Sequence, residues 1–166
     1  MRFEKISFDA WKDFFNKNDY SSWSEEELRE MYDNIKLPKA GSSYAAGHDF
    51  YCPFNVTIGP NYNVLLPTGI RWVSEDDGLD TCLLLMPRSG LGTKFGMRLL
   101  NTIGVVDADY YWAANEGHIM ACVTSEKEME LFAGDRFMQG IIIPYFRCGE
   151  QVKIIRDGGF GSTGVK

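Results

Sequence analysis

The sequence predicts an all-β domain preceded by a short helical segment, and three features carry that expectation. Beyond Pro38 the chain breaks into short apolar runs separated by Gly, Pro and Asn, the texture of many short strands joined by turns. Before that point aromatic residues recur at helical spacing instead. The C-terminal stretch from Arg156 to Lys166 is too rich in glycine for a strand interior.

Taken in order, a short first strand precedes Phe8, Trp11, Phe14 and Phe15, whose spacing puts four aromatics on one helix face. Ser24-Glu25-Glu26-Glu27 reads as a capping box, a serine hydroxyl and a glutamate three residues on that satisfy each other's backbone N–H groups. It opens a second helix whose apolar stripe is Leu28, Met31, Tyr32 and Ile35. Strands are expected from Asn63 to Leu66, Thr81 to Met86, His118 to Val123 and Phe137 to Pro144, with glycines and charges in the gaps. A closed or double-sheet arrangement would protect their edges. Three segments follow: 1–36 as an N-terminal strand and helical appendage, 37–155 as the β domain, and 156–166 as a flexible arm. No internal repeat interrupts this order.

At 166 residues and 45% hydrophobic content the chain can bury a core without disulfide staples. Its net charge of −6 argues against a protein that grips duplex nucleic acid by neutralising phosphates. A free nucleotide remains open, because a few local arginines and backbone N–H groups hold a small anion whatever the overall charge. Cys52, Cys82, Cys122 and Cys148 form no C-x-x-C pair, so reduced thiols are expected. There is no long apolar run, and Met1 to Ile6 lacks the apolar centre of a secretory signal, so a cytoplasmic protein without a membrane partner is expected.

Several segments can carry chemistry. Pro87-Arg88-Ser89-Gly90-Leu91 combines a guanidinium, a hydroxyl and a residue that lets backbone N–H groups approach, which is what phosphate oxygens require. The same residues also serve ordinary strand exits. Ser162 and Thr163 lie in a second glycine-rich segment, and Phe160 between glycines has no local core to join. On a closing lid that ring would stack on a nucleobase and exclude water. Asp107 and Asp109 flank Ala108 beside Tyr110, so either carboxylate is a candidate general base, although paired aspartates more often form turns. Asp49, after Ala45-Ala46-Gly47-His48, also reads first as a turn residue. Gln139, after Gly134-Asp135-Arg136-Phe137-Met138, is either an anion-binding amide or an exposed strand side chain. His48 and His118 are the only histidines, which disfavours a zinc hydrolase; Mg²⁺ held by phosphates and one carboxylate through water suits this inventory better.

From about Leu37 to Gly164 these segments occur in the order of the five motifs of homotrimeric dUTPases, and the chain resembles that family. Ala46-Gly47-His48-Asp49, Pro87-Arg88-Ser89-Gly90, Asn101 to Tyr110, Gly134-Asp135-Arg136 with Gln139, and Gly159 to Gly164 match in turn, and Leu66-Pro67-Thr68-Gly69-Ile70 also fits. The resemblance implies a distorted jelly-roll, or β-clip, barrel and hydrolysis of dUTP to dUMP and pyrophosphate. It implies that Asp49 holds Mg²⁺ through water, that Arg88, Ser89, Gly90 and Gln139 bind phosphate oxygens, and that Asp107 deprotonates the attacking water. It assigns uracil to Asn101 and to backbone groups of the hairpin at Gly104 and Val106, and the deoxyribose to Tyr110. It gives Arg156, Phe160, Gly161, Ser162 and Thr163 to an arm that closes a neighbouring subunit's site.

The chain departs from the pattern in four places. His48 stands where the family usually has tyrosine, Tyr111 to Ile119 stand where the family has a shorter turn, Arg156 sits one residue closer to Phe160 than usual, and residues 8–36 have no counterpart. Two alternatives follow. One is a dCTP deaminase or bifunctional relative; the other is a dUTP-sensing regulator that meets a protein partner through the helices or through Tyr111–Asn115.

Overall fold

The computed structural model describes residues 1–18, 20, 22–74 and 80–149. Strand β1 (Arg2–Lys5) leads into helices α1 (Phe8–Lys17) and α2 (Glu25–Asp33). There follow β2 (Lys39–Ala40), β3 (Gly47–Tyr51), β4 (Val56–Ile58), β5 (Val64–Pro67), β6 (Ile70–Val73) and β7 (Thr81–Pro87). The short helix α3 (Ser89–Phe95) precedes β8 (Arg98–Leu99) and β9 (Gly104–Asp107), and a 3₁₀ turn (Ala108–Trp112) precedes β10 (Met120–Thr124), β11 (Met129–Leu131) and β12 (Arg136–Pro144). The fold is all-β.

The largest sheet runs β2-β3-β12-β7-β9, and β5-β10-β8, β1-β6 and β11-β4 complete the packing. The long central strands β7 and β12 are where the sequence is richest in Ile, Leu, Val and Phe. Both strands are paired along their two edges, and residues such as Leu83, Leu85, Phe137 and Met138 carry their apolar runs into the core. The expected strand from His118 starts two residues late. His118 N–H bonds to the carbonyl of Asn115 at 3.1 Å, which closes the preceding loop and delays pairing until Met120.

Both helices form as their spacing predicts. Ser7 caps α1 by accepting from Ala10 N–H, and at α2 both halves of the Ser24/Glu27 capping box are made. Trp11, Phe14, Phe15, Leu28 and Ile35 belong to the same apolar core as Phe50, Leu66, Trp72, Leu83 and Phe137. Trp11 is fully buried and its indole N–H donates to the carbonyl of Leu28 at 3.1 Å, tying α1 to α2.

Leu66-Pro67-Thr68-Gly69-Ile70 is the anchor against which the helices rest. Gly69 has φ +69°, and a β-carbon there would lie 2.3 Å from Ile35 Cδ1, so only glycine lets α2's exit pack this closely. Thr68 hydroxyl donates to the carbonyl of Ile119 at 2.6 Å, and Gly69 N–H donates to Nε2 of His118 at 3.0 Å. His118 is thereby enclosed beside Trp11 and Phe14, and burial pushes its pKa down to about 3. It is a neutral core residue rather than a metal ligand.

Candidate active site

Strand pairing assembles the first group of residues. Asp49 on β3 lies directly opposite Gln139 on β12, which lies opposite Met86 on β7. The sequence favoured a turn for Asp49, but the residue sits inside a strand, because β12 pairs along the whole of Gly47–Tyr51. Arg88 follows the end of β7, and its backbone N–H donates to the carbonyl of Phe137 at 3.1 Å, which fixes the loop against β12. The guanidinium then reaches Asp49, Nη1 to Oδ2 at 3.3 Å, and Arg136 Nη1 meets the same oxygen at 3.2 Å. Asp49 is 7% exposed, whereas the side chain of Arg136 is 50% exposed, so the carboxylate is the fixed member and the arginines face outward.

Ser89 and Gly90 open α3 on the solvent side of this row, and a β-carbon at Gly90 would meet no atom within 4 Å. The first backbone N–H groups of a helix have no intrahelical acceptor, so they point at whatever binds there. Gly47 has the opposite need. A β-carbon on it would lie 2.9 Å from Gln139 Oε1, so glycine leaves the amide room to stand in the row. A cavity of about 300 Å³ bordered by Arg88, Leu91 and Arg136 adjoins the group.

The second group lies at the edge of the same sheet. Among the described residues β9 is an edge strand: it pairs with β7 on one side, so alternate backbone groups on its other side face out of the sheet. Val106 is buried and its side chain belongs to the core, so a ligand here would meet backbone, not side chain. At Gly104 a β-carbon would come within 3.1 Å of Leu85 Cβ, and the glycine permits the close approach of β9 to β7. Asn101 is exposed in the turn before β9, where Thr102 takes φ +66°. Asp107 ends β9 half-buried, whereas Asp109 is exposed in the 3₁₀ turn. The strand-to-turn change breaks the alternation that would have aligned the two carboxylates.

Tyr110 is 7% exposed, so its side chain packs almost wholly against the protein. Arg156, Phe160, Gly161, Ser162 and Thr163 lie outside the described residues. Two contributions were missed by the sequence reading. In the sequence Arg136 is one member of a motif, yet it shares Asp49 with Arg88; Asn115, in the lengthened turn, donates to the Tyr110 hydroxyl at 2.8 Å. The Gly-Asp-Arg triplet was the available signal for the first, and nothing local signals the second.

For a hard cation the relevant donor is Asp49. Glu130 and Asp135 also border the adjoining cavity, and so small a set of carboxylates fits an ion that keeps most of its waters and takes its other ligands from phosphate, as Mg²⁺ does.

A buried carboxylate between arginines, an amide in the same row, helix-start N–H groups and an exposed strand edge define a β protein suited to a phosphorylated ligand with a hydrogen-bonding base. The dUTPase family model matches residues 33–165. The deoxyuridine 5'-triphosphate nucleotidohydrolase of Lactococcus lactis is 33% identical over 147 residues, covering 84% of this chain and 96% of the relative. The crystal structure of the Streptococcus mutans dUTPase aligns with TM-score 0.65 and 29% identity over 90% of this chain and 100% of that one. A mutant dUTPase from phage phi11 of S. aureus, described as coordinating a structural Mg(II) ion, shares the fold at TM-score 0.59 and 18% identity, over 74% of this chain and 92% of that one. The chain belongs to the dUTPase family.

Proposed function

We propose that the protein hydrolyses dUTP to dUMP and pyrophosphate, with water attacking the α-phosphorus and Asp107 as the general base. The observation that carries this reading is the sorting of the family's motifs onto one sheet: anion-binding groups on the Asp49–Gln139 row, base- and sugar-facing groups on the β9 edge.

In this reading Arg88, Gln139 and the N–H groups of Ser89 and Gly90 hold the phosphate oxygens and stabilise the charge that grows on them as the bond breaks. Asp49 would hold Mg²⁺ through water, and the ion would supply positive charge to neutralise the phosphates. Asn101 and the backbone at Gly104 and Val106 satisfy the edge of uracil. Cytosine presents a donor where uracil has an acceptor, and each unpaired buried polar group costs about 1–3 kcal/mol. Tyr110 stands beside the sugar and excludes a 2′-hydroxyl. Phe160, Gly161, Ser162, Thr163 and Arg156 form the closing arm.

The two groups do not meet within one chain. Asp107 pairs with Cys82, and Gln139 pairs with Met86, four residues along β7. That is about 13 Å along the strand and two strand spacings, about 10 Å, across it. A triphosphate cannot put its α-phosphorus beside Asp107 while those same phosphates sit on this chain's own row. Leu100, Ile103, Val105 and Trp112 also crowd the β9 edge, each 46–67% exposed, an apolar patch of the kind that subunits cover. Both features support a homotrimer with shared active sites, working on free dUTP in the cytoplasmic pool.

The test is pyrophosphate release from dUTP, dCTP, dTTP and UTP with Mg²⁺ or EDTA, with ammonia followed in parallel. Metal-dependent release from dUTP alone is expected, and Asp107→Asn should lower kcat at least about 100-fold, the scale of a lost general base. Ammonia released from dCTP, or unchanged turnover in Asp107→Asn, would overturn the reading.

A further inference from the structure

We propose that the lengthened turn after Tyr110 is a brace for that tyrosine, and that Asn115 is the positioning residue through which it sets discrimination between deoxyribose and ribose. The inference rests on the reading above, in which the Tyr110 ring faces the sugar.

The turn grips Tyr110 at both ends. At the far end of the ring the hydroxyl donates to the carbonyl of His118 at 3.0 Å and accepts from Nδ2 of Asn115 at 2.8 Å. One phenol hydroxyl thus serves as both donor and acceptor, and a ring held at its para position cannot swing about its side-chain torsions. At the backbone end, Gly117 folds back onto the start of the turn: a β-carbon there would lie 2.8 Å from the Tyr110 carbonyl oxygen and 2.8 Å from Tyr111 Cα. Gly117 has φ +71° and Glu116 φ +59°, so the turn adopts consecutive left-handed residues to make that approach.

Asn115 is itself fixed. Its Oδ1 accepts from Gly117 N–H at 3.2 Å and its carbonyl accepts from His118 N–H at 3.1 Å. The next residue joins the brace to the N-terminal helices: the Glu116 carboxylate accepts from the backbone N–H of Ser7 at 2.8 Å and from its hydroxyl, and lies 3.9 Å from Arg71. Ser7 is the residue that caps α1. The Arg71 guanidinium also stands 4.7 Å from the centre of the Tyr111 ring, holding the first residue of the turn. Two departures from the minimal pattern, the helices and the lengthened turn, therefore converge on the residue that reads the sugar.

A ring that excludes a 2′-hydroxyl does so only if it cannot yield by a few tenths of an ångström. Releasing its hydroxyl should therefore admit UTP more than it harms dUTP. The experiment measures kcat/KM for dUTP and UTP in the full chain, in Asn115→Ala, in Tyr110→Phe, in the double variant and in Tyr110→Ala. Asn115→Ala should shift the dUTP/UTP ratio toward UTP by about fivefold, one neutral hydrogen bond's worth, and Tyr110→Phe, which loses both bonds of the hydroxyl, by at least as much. The double variant should shift it no further than Tyr110→Phe alone, because that change already removes the bond Asn115 makes to the hydroxyl.

A general loss of stability would lower both substrates together and leave the ratio where it was, so the ratio separates positioning from folding. An unchanged ratio in Asn115→Ala, or additive shifts in the double variant, overturns the inference while a shifted Tyr110→Ala leaves the sugar reading standing. An unchanged ratio in Tyr110→Ala overturns the sugar reading itself, and the inference with it. Should Asn115→Ala fail to fold, Tyr110→Phe removes the bond from the other side, and an unchanged ratio there overturns the inference.

Discussion

His118 shows how one buried residue ties stability to pH. Its pKa is about 3 in the folded chain, against the ordinary 6.5, because burial beside Trp11 and Phe14 disfavours the charged ring. Above pH 6.5 the ring is neutral in both states and adds no pH dependence. As pH falls below 6.5 the unfolded chain binds a proton that the folded chain refuses, so stability is lost down to about pH 3, at up to about 1.4 kcal/mol per pH unit. Denaturant melts across pH 4–7 should show this slope, and His118→Gln, which keeps an acceptor for Gly69 N–H, should flatten it. The cysteines make a second contrast: burial pushes the Cys52 thiol up to about 12, whereas Cys148 is exposed. Iodoacetamide on the native protein should label Cys148 first and leave Cys52 intact until unfolding, as peptide mapping would show.

At the scale of elements, α1 and α2 are held both by their own ends and by the core. The capping box at Ser24 is a local device, and Ser24→Ala should cost about 1 kcal/mol, seen as a lowered melting midpoint with activity unchanged. Trp11 is a tertiary device, fully buried against Phe15 and His118 with its indole N–H satisfied by Leu28. Trp11→Ala should cost about 3–5 kcal/mol, well beyond the cap, because it opens a cavity and strands the Leu28 carbonyl. Both helices could be read in the sequence, since aromatic spacing and Ser-x-x-Glu are contained within single turns. Strands β7 and β12 were legible for a similar reason, as long runs of apolar residues. The two-residue strands β2 and β8 were not, because so short a strand exists only by virtue of the neighbour that pairs with it.

For the whole molecule, the separation of Asp107 from the Asp49–Gln139 row makes a mixing experiment decisive. Asp107→Asn and Arg88→Ala should each be nearly inactive alone. If a site takes Asp107 from one subunit and Arg88 from another, unfolding and refolding the two variants together should restore activity in mixed trimers. No recovery, or a sedimentation mass other than three times the 18.8 kDa chain, would sink the shared-site reading.

The motifs, both helix caps and the apolar runs rest on residues a few positions apart, and at that range side-chain chemistry and backbone preference are decided by the sequence alone. Family membership and the main strands were legible on that basis. Only the folded chain decided that Asp49 is a strand residue shared by two arginines, one of them 87 positions away, or that Ser7 reaches Glu116 across 109 positions. Such contacts depend on which strands pair and in what register, and register comes from the whole packed core rather than from any window of sequence. Tyr110 carries the same lesson: its identity was plain in the motif, but what holds its hydroxyl came from a turn with no local signature.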